Sequence, residues 1–73
     1  SGDWLIVTRT YIVEGMKNER SVRRIERALF RVDNISYEIN LEKNTVVIHF
    51  SNRVDDDKVI GAISRAGYRA MRL

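Results

Sequence analysis

Seventy-three residues with a formal charge of +3, no cysteine and no proline set narrow limits. The length suits one domain near the lower limit for a fold held by its core alone, and the lack of Cys excludes both a disulfide framework and a thiolate metal site. The apolar run WLIV at residues 4–7 is far shorter than the roughly 18–20 residues of a membrane span, so no direct membrane insertion is expected.

Residues 1–73 are expected to form a single domain cut from a longer protein, with 1–7 as an N-terminal extension in which Ser1-Gly2 reads as a tag remnant. TRTYIV (8–13) is β-branched and alternating, the pattern of a strand. The period changes over 21–32, where Ser21, Val22, Ile25, Ala28, Leu29 and Val32 fall on one helical arc of about 120°. Between them lies EGMKNERSVRR (14–24), in which Asn18 can cap the helix with Ser21 at the third helical position. Asp33-Asn34 ends this helix, Asn34 being able to take a left-handed conformation.

Ile35, Tyr37, Ile39 and Leu41 alternate with polar residues, then a turn at Lys43-Asn44 leads into TVVIHF (45–50). Setting Glu42 opposite Thr45 pairs Leu41 with Val46, Ile39 with Ile48 and Tyr37 with Phe50 on one face, and places His49 across from Glu38. A lone surface His beside a carboxylate is a cross-strand pair before it is a metal site. Asp55 caps a second helix whose stripe is Val59, Ile60, Ile63 and Ala66, Gly67 stops it, and GYRAMRL supplies a last strand. Strand, helix, strand, strand, helix, strand is the α+β, ferredoxin-like βαββαβ arrangement: a four-stranded antiparallel sheet, order 4-1-3-2, with both helices on one face.

The charge is unevenly spread. Lys17, Arg20, Arg23, Arg24, Arg27 and Arg31 stand against only Glu19 and Glu26, so this segment carries more than the whole net charge. The five arginines lie opposite the apolar stripe, and Arg holds planar carboxylate or phosphate groups bidentately. Glu19–Arg23 and Arg23–Glu26 pairs would support a merely solvated face, whereas five arginines and no lysine on one helix face point to a docking surface for an acidic protein, and the two readings stand side by side. On the helix-free side of the sheet, Ile12, Val47 and Met71 are expected to form an apolar patch, extended by Ile6 or Trp4.

VEGM (13–16), SVRRIERAL (21–29), INLEKNTVVIHF (39–50) and VIGAISRAGY (59–68) together resemble the heavy-metal-associated domain of copper chaperones and of the N-terminal modules of metal-transporting P-type ATPases. The resemblance implies a loop of the form Gly-Met-x-Cys-x-x-Cys whose two thiolates hold the ion. Here the loop reads GMKNERS: Gly15 and Met16 match, while Asn18 and Ser21 stand at the two Cys positions. A soft cation needs thiolate or imidazole ligands, which an amide and a hydroxyl do not replace, and Lys17 and Arg20 add repulsion. Met16 is then a packing residue, and Tyr68, after Gly67, is an aromatic expected against the loop.

These residues point to a non-enzymatic interaction or regulatory module without a cofactor, part of a heavy-metal transport ATPase or a related metal-homeostasis protein on the cytoplasmic side. Its surface would be Lys17, Asn18, Arg20, Arg23, Arg24, Arg27, Arg31 and Tyr68, and its partner an acidic protein or another domain of the same chain. The alternative is a metal-handling domain using ligands from a partner or from chain beyond this segment. RNA binding would need aromatics on the open sheet face, yet Tyr37 and Phe50 are expected to point inward. Catalysis would need a nucleophile–base pair, paired carboxylates or a phosphate loop, and the sequence has none.

Overall fold

The computed structural model describes residues 6–73, and Trp4 therefore lies outside the described residues. In chain order the elements are β1 (Val7–Glu14), α1 (Glu19–Phe30), β2 (Ile35–Asn40), β3 (Thr45–Phe50), α2 (Asp56–Arg65) and β4 (Arg69–Arg72). The sheet is antiparallel in the order β2-β3-β1-β4, the same order as expected, read from the other edge. β1 begins at Val7, one residue inside the expected N-terminal extension.

Alternation sorts the strand residues between two faces. Tyr11 and Val13 of β1, Val46, Ile48 and Phe50 of β3 and Ala70 of β4 turn toward the helices and are buried. Met16, Ile25 and Leu29 meet Val59 and Ile63 in the same core. α2 differs from its expected stripe in one respect: Ala62 is buried with Val59 and Ile63, while Ile60 and Ala66 are only half-buried. Small Ala62 is buried where α2 faces Arg27, Ala28 and Arg31, so the buried arc is turned toward the other helix.

The β2–β3 register departs from expectation. Ile35 pairs with Phe50, Tyr37 with Ile48, Ile39 with Val46 and Asn40 with Thr45, a slip of two residues. Leu41 leaves the ladder, and the connection spans residues 41–44 rather than Lys43-Asn44 alone. The turn's own chemistry sets this register. Asn40 Oδ1 accepts from Lys43 N at 2.9 Å, Asn44 N donates to Leu41 O at 3.3 Å, and Asn44 takes a left-handed φ of 55°. A slip of two returns every side chain to its original face, so Tyr37 still points toward the helices. His49 now lies opposite Ser36, and reaches Glu38 diagonally with Nε2 2.8 Å from Oε2.

Both helix 1 boundaries move. α1 starts at Glu19 and ends at Phe30, two residues earlier at each end than the periodicity implied. The start is fixed by Asn18, and Asn34 then takes the expected left-handed φ of 62° three residues after the Arg31 cap. α2 is capped by Asp55, whose Oδ1 accepts from Lys58 N at 3.2 Å, and Gly67 leaves it with a φ of +99°.

Candidate functional site

The loop between β1 and α1 is built as a helix start. Asn18 is extended, and its Oδ1 accepts from Ser21 N at 3.1 Å, satisfying one of the free N–H groups of the first turn. Ser21 Oγ donates to the same oxygen at 3.4 Å and accepts from Lys17 N at 3.3 Å. Ser21 is the only buried polar residue among those described, so its hydroxyl needs these partners. Gly15 leaves β1 with a φ of +96°, and a Cβ there would stand 3.3 Å from the Tyr68 ring. Tyr68 is thus packed over the loop, and Met16, 5% exposed, turns its thioether into the core. With its amide turned so that Nδ2 faces two carbonyls, Asn44 donates to Met16 O at 3.0 Å and to Leu41 O at 3.1 Å, tying the β2–β3 turn to the loop.

This donor set does not fit a soft metal ion. Its oxygens are engaged in the cap, its one sulfur is buried in the core, and exposed Lys17 and Arg20 flank it. Among the described residues no three His, Asp or Glu side chains cluster as ligands, and His49 has both ring nitrogens occupied, by Thr8 Oγ1 at 2.9 Å and by Glu38.

The arginines of α1, with Arg31 at its cap, are all exposed. The Glu19–Arg23 and Arg23–Glu26 pairs do not form: the three ion pairs among the described residues are His49–Glu38, Arg69–Glu14 and Arg72–Asp56, none on α1. The structure divides the basic surface. Arg27 and Arg31 line a groove between the helices that Lys58 and Arg65 of α2 enter from the other side, whereas Lys17, Arg20, Arg23 and Arg24 lie outside it. Two features of this region were not singled out from sequence. Lys58 and Arg65 are joined to the α1 arginines only by helix packing, and Phe30 stands 82% exposed beside Tyr37. The helical period does place Phe30 on the charged face, away from Ile25.

On the open sheet face Ile12 pairs directly with Met71, both partly exposed, and Val47 lies diagonally from Ile12 across β3, half-buried. Ile6 is also exposed. At the opposite rim, the buried Tyr11 hydroxyl donates to Asp56 Oδ1, and Arg72 Nη1 lies 3.1 Å from Asp56 Oδ2. Burial, followed by the Asp56 contact, pushes the Tyr11 phenol well above its ordinary range, while the Tyr11 hydrogen bond and then Arg72 hold Asp56 below the usual carboxylate value. This cluster joins β1, β4 and α2 and is structural. No helix among the described residues is long and apolar enough to cross a membrane.

Comparison with known proteins agrees with this geometry. A model described as the heavy-metal-associated domain matches residues 10–69. The N-terminal domain of PacS from Synechocystis PCC6803 is 28% identical, with a TM-score of 0.81 over 92% of this chain and 97% of that one. The CopZ metallochaperone is 27% identical, with a TM-score of 0.81 over 89% of this chain and 100% of that one. A copper binding domain from HMA7, a P-type ATPase, is 25% identical, with a TM-score of 0.82 over 90% and 92%. No curated protein matches the chain.

Proposed function

The chain belongs to the heavy-metal-associated domain family, and from that premise we propose that this member is a metal-silent docking module rather than a metal carrier. It would serve a metal-transport ATPase or a related metal-homeostasis protein from the cytoplasmic side, binding an acidic protein or another domain of its own chain, and doing no chemistry itself. The observation that carries the reading is the conversion of the loop. The two positions that would hold thiolates instead form a hydrogen-bonded helix cap, Asn18 to Ser21. The scaffold around them (Gly15, Met16 and Tyr68) keeps its packing. The unpaired α1 arginines support an acidic partner, since each guanidinium can take a carboxylate with two parallel hydrogen bonds.

The test uses polyglutamate as the acidic probe, with amide NMR shifts of the domain as readout. Binding is expected to centre on α1, to weaken as salt shortens the screening length from about 10 Å toward 3 Å, and to vanish in the folded Arg24→Glu/Arg27→Glu variant. Salt-independent binding, or binding unaffected by that double reversal, contradicts the reading.

A further inference from the structure

Resting on the docking reading above, we propose that the groove between α1 and α2 is the seat of the contact, and that it takes a short acidic segment of a partner polypeptide with an apolar side chain at its centre. Four cations line it, Arg27 of α1 with Arg31 at its cap and Lys58 and Arg65 from α2, against the single acid Asp33. Residues four or seven apart share one helix face, so each pair projects along its own rim. None of the four, nor Asp33, makes an ion pair among the described residues. Like charges gathered over low-dielectric walls focus a positive potential on the space between them. An anion laid there relieves repulsion from both rims at once, which a contact on the outer α1 face cannot do.

The floor decides what kind of anion. Ala28, Val32, Ala62 and Ala66 line it with methyl groups, and none offers a side-chain donor. A phosphate ester or an inorganic phosphate gains nothing from such a floor, because its oxygens require donors on every side. A polypeptide can place one aliphatic side chain on the alanines while flanking carboxylates reach the rims. The small floor residues leave room for that side chain, and the rims fix the spacing of the acids around it.

The inference is tested with synthetic nine-residue peptides of glutamate carrying either Leu or Ser at the centre, titrated into the whole 73-residue chain and followed by amide shifts, with inorganic tripolyphosphate in a parallel arm. The Leu peptide is expected to shift Ala28, Val32, Ala62 and Ala66, and to bind about tenfold more tightly than the Ser peptide, as burying a few methylenes implies. Lys58→Glu/Arg65→Glu should weaken the Leu peptide by more than about tenfold, as removal of two charge-assisted contacts implies, while the outer-face control Arg20→Glu/Arg23→Glu should change it far less. Ala28→Gln, which fills the floor without altering charge, should remove the advantage of Leu over Ser. Equal loss in the two charge reversals, or equal affinity of the two peptides, overturns the groove and leaves docking on the α1 face standing. Tighter binding of tripolyphosphate than of the Leu peptide in the same groove overturns the peptide assignment. No binding of any acidic peptide overturns both the groove and the docking reading beneath it.

Discussion

Replacing Asn18 by Ala probes what this chain has made of a ligand position. Asn18 is exposed, so truncation opens no cavity. It removes the oxygen that accepts from Ser21 N at 3.1 Å and from Ser21 Oγ at 3.4 Å. Loss of an N-cap side chain costs about 1 kcal/mol, within a range of about 0.5–2 kcal/mol. Ser21 is 7% exposed, so its hydroxyl proton is also left without its acceptor, which puts the expected loss in the upper half of that range. About 1.5 kcal/mol in a domain of this size lowers Tm by roughly 6–12 °C. Asn18→Asp keeps the acceptor and adds a negative charge at the helix N-terminus, a change worth about 0.3–1 kcal/mol in the favourable direction. It should equal or exceed the parent in stability, and Asn18→Gly, which also leaves the Ser21 hydroxyl without its acceptor, should fall between the parent and Asn18→Ala. Thermal and denaturant unfolding followed by circular dichroism measure all three. An Asn18→Ala protein as stable as the parent, or an Asp variant as damaged as the Ala one, would refute the capping role.

Further outcomes follow from burial and titration. Val47→Lys should cost less than about 1 kcal/mol, because a half-buried side chain on the open face can carry its charge out to water; loss of the fold in denaturant unfolding would put Val47 in the core. Phe30→Ser, at a position 82% exposed, should stay within about 0.5 kcal/mol of the parent, whereas Leu29→Ala next to it should cost about 2–5 kcal/mol; similar costs in the two would contradict the placement of the helix. Tyr11→Phe should cost about 1.5–3 kcal/mol through loss of a hydrogen bond to a carboxylate. The Asp56 pKa is lowered by folding, so its contribution is complete above the unfolded value of about 3.9 and is lost as pH falls through the folded value. The Tyr11 pKa is raised, so its contribution is complete below about pH 10 and is lost as pH rises beyond it toward the folded value. Stability measured against pH should therefore have a shallower acid limb in Asp56→Asn, and an unchanged limb would remove Asp56 from the cluster.

Much of the fold was legible because the faces of its elements are. Tyr11, Val13, Ile48 and Phe50 reveal the core side through a period of two, and Ile25 and Leu29 through a period of 3.6. The β2–β3 register was not legible for the same reason: a two-residue slip leaves every face unchanged, and the turn bonds of Asn40 and Asn44 choose between registers. The apolar period alone starts α1 two residues late, because Glu19 and Arg20 carry no apolar signal, whereas the Asn18 cap with Ser21 at the third helical position marks the start that the structure shows. At the site, GMKNERS made the loss of thiolates plain from sequence. The joining of Arg27 and Arg31 with Lys58 and Arg65 was not, since helical period describes one helix at a time and this groove exists only where two of them pack.

Competition for Cu(I) against a chromogenic chelator under reducing conditions tests the central claim most directly, with amide shifts locating any bound ion. The unaltered domain should leave the chelator loaded, because Asn18 and Ser21 offer no thiolate and Lys17 and Arg20 oppose a cation. The Asn18→Cys/Ser21→Cys variant should withdraw one Cu(I) per chain with shifts centred on residues 15–21, and either single change should withdraw little. Stoichiometric, tight binding by the unaltered domain, centred on the same residues, would contradict a metal-silent module. A natively folded double-Cys variant that cannot compete would show that the loop has lost the geometry of a metal site along with its ligands.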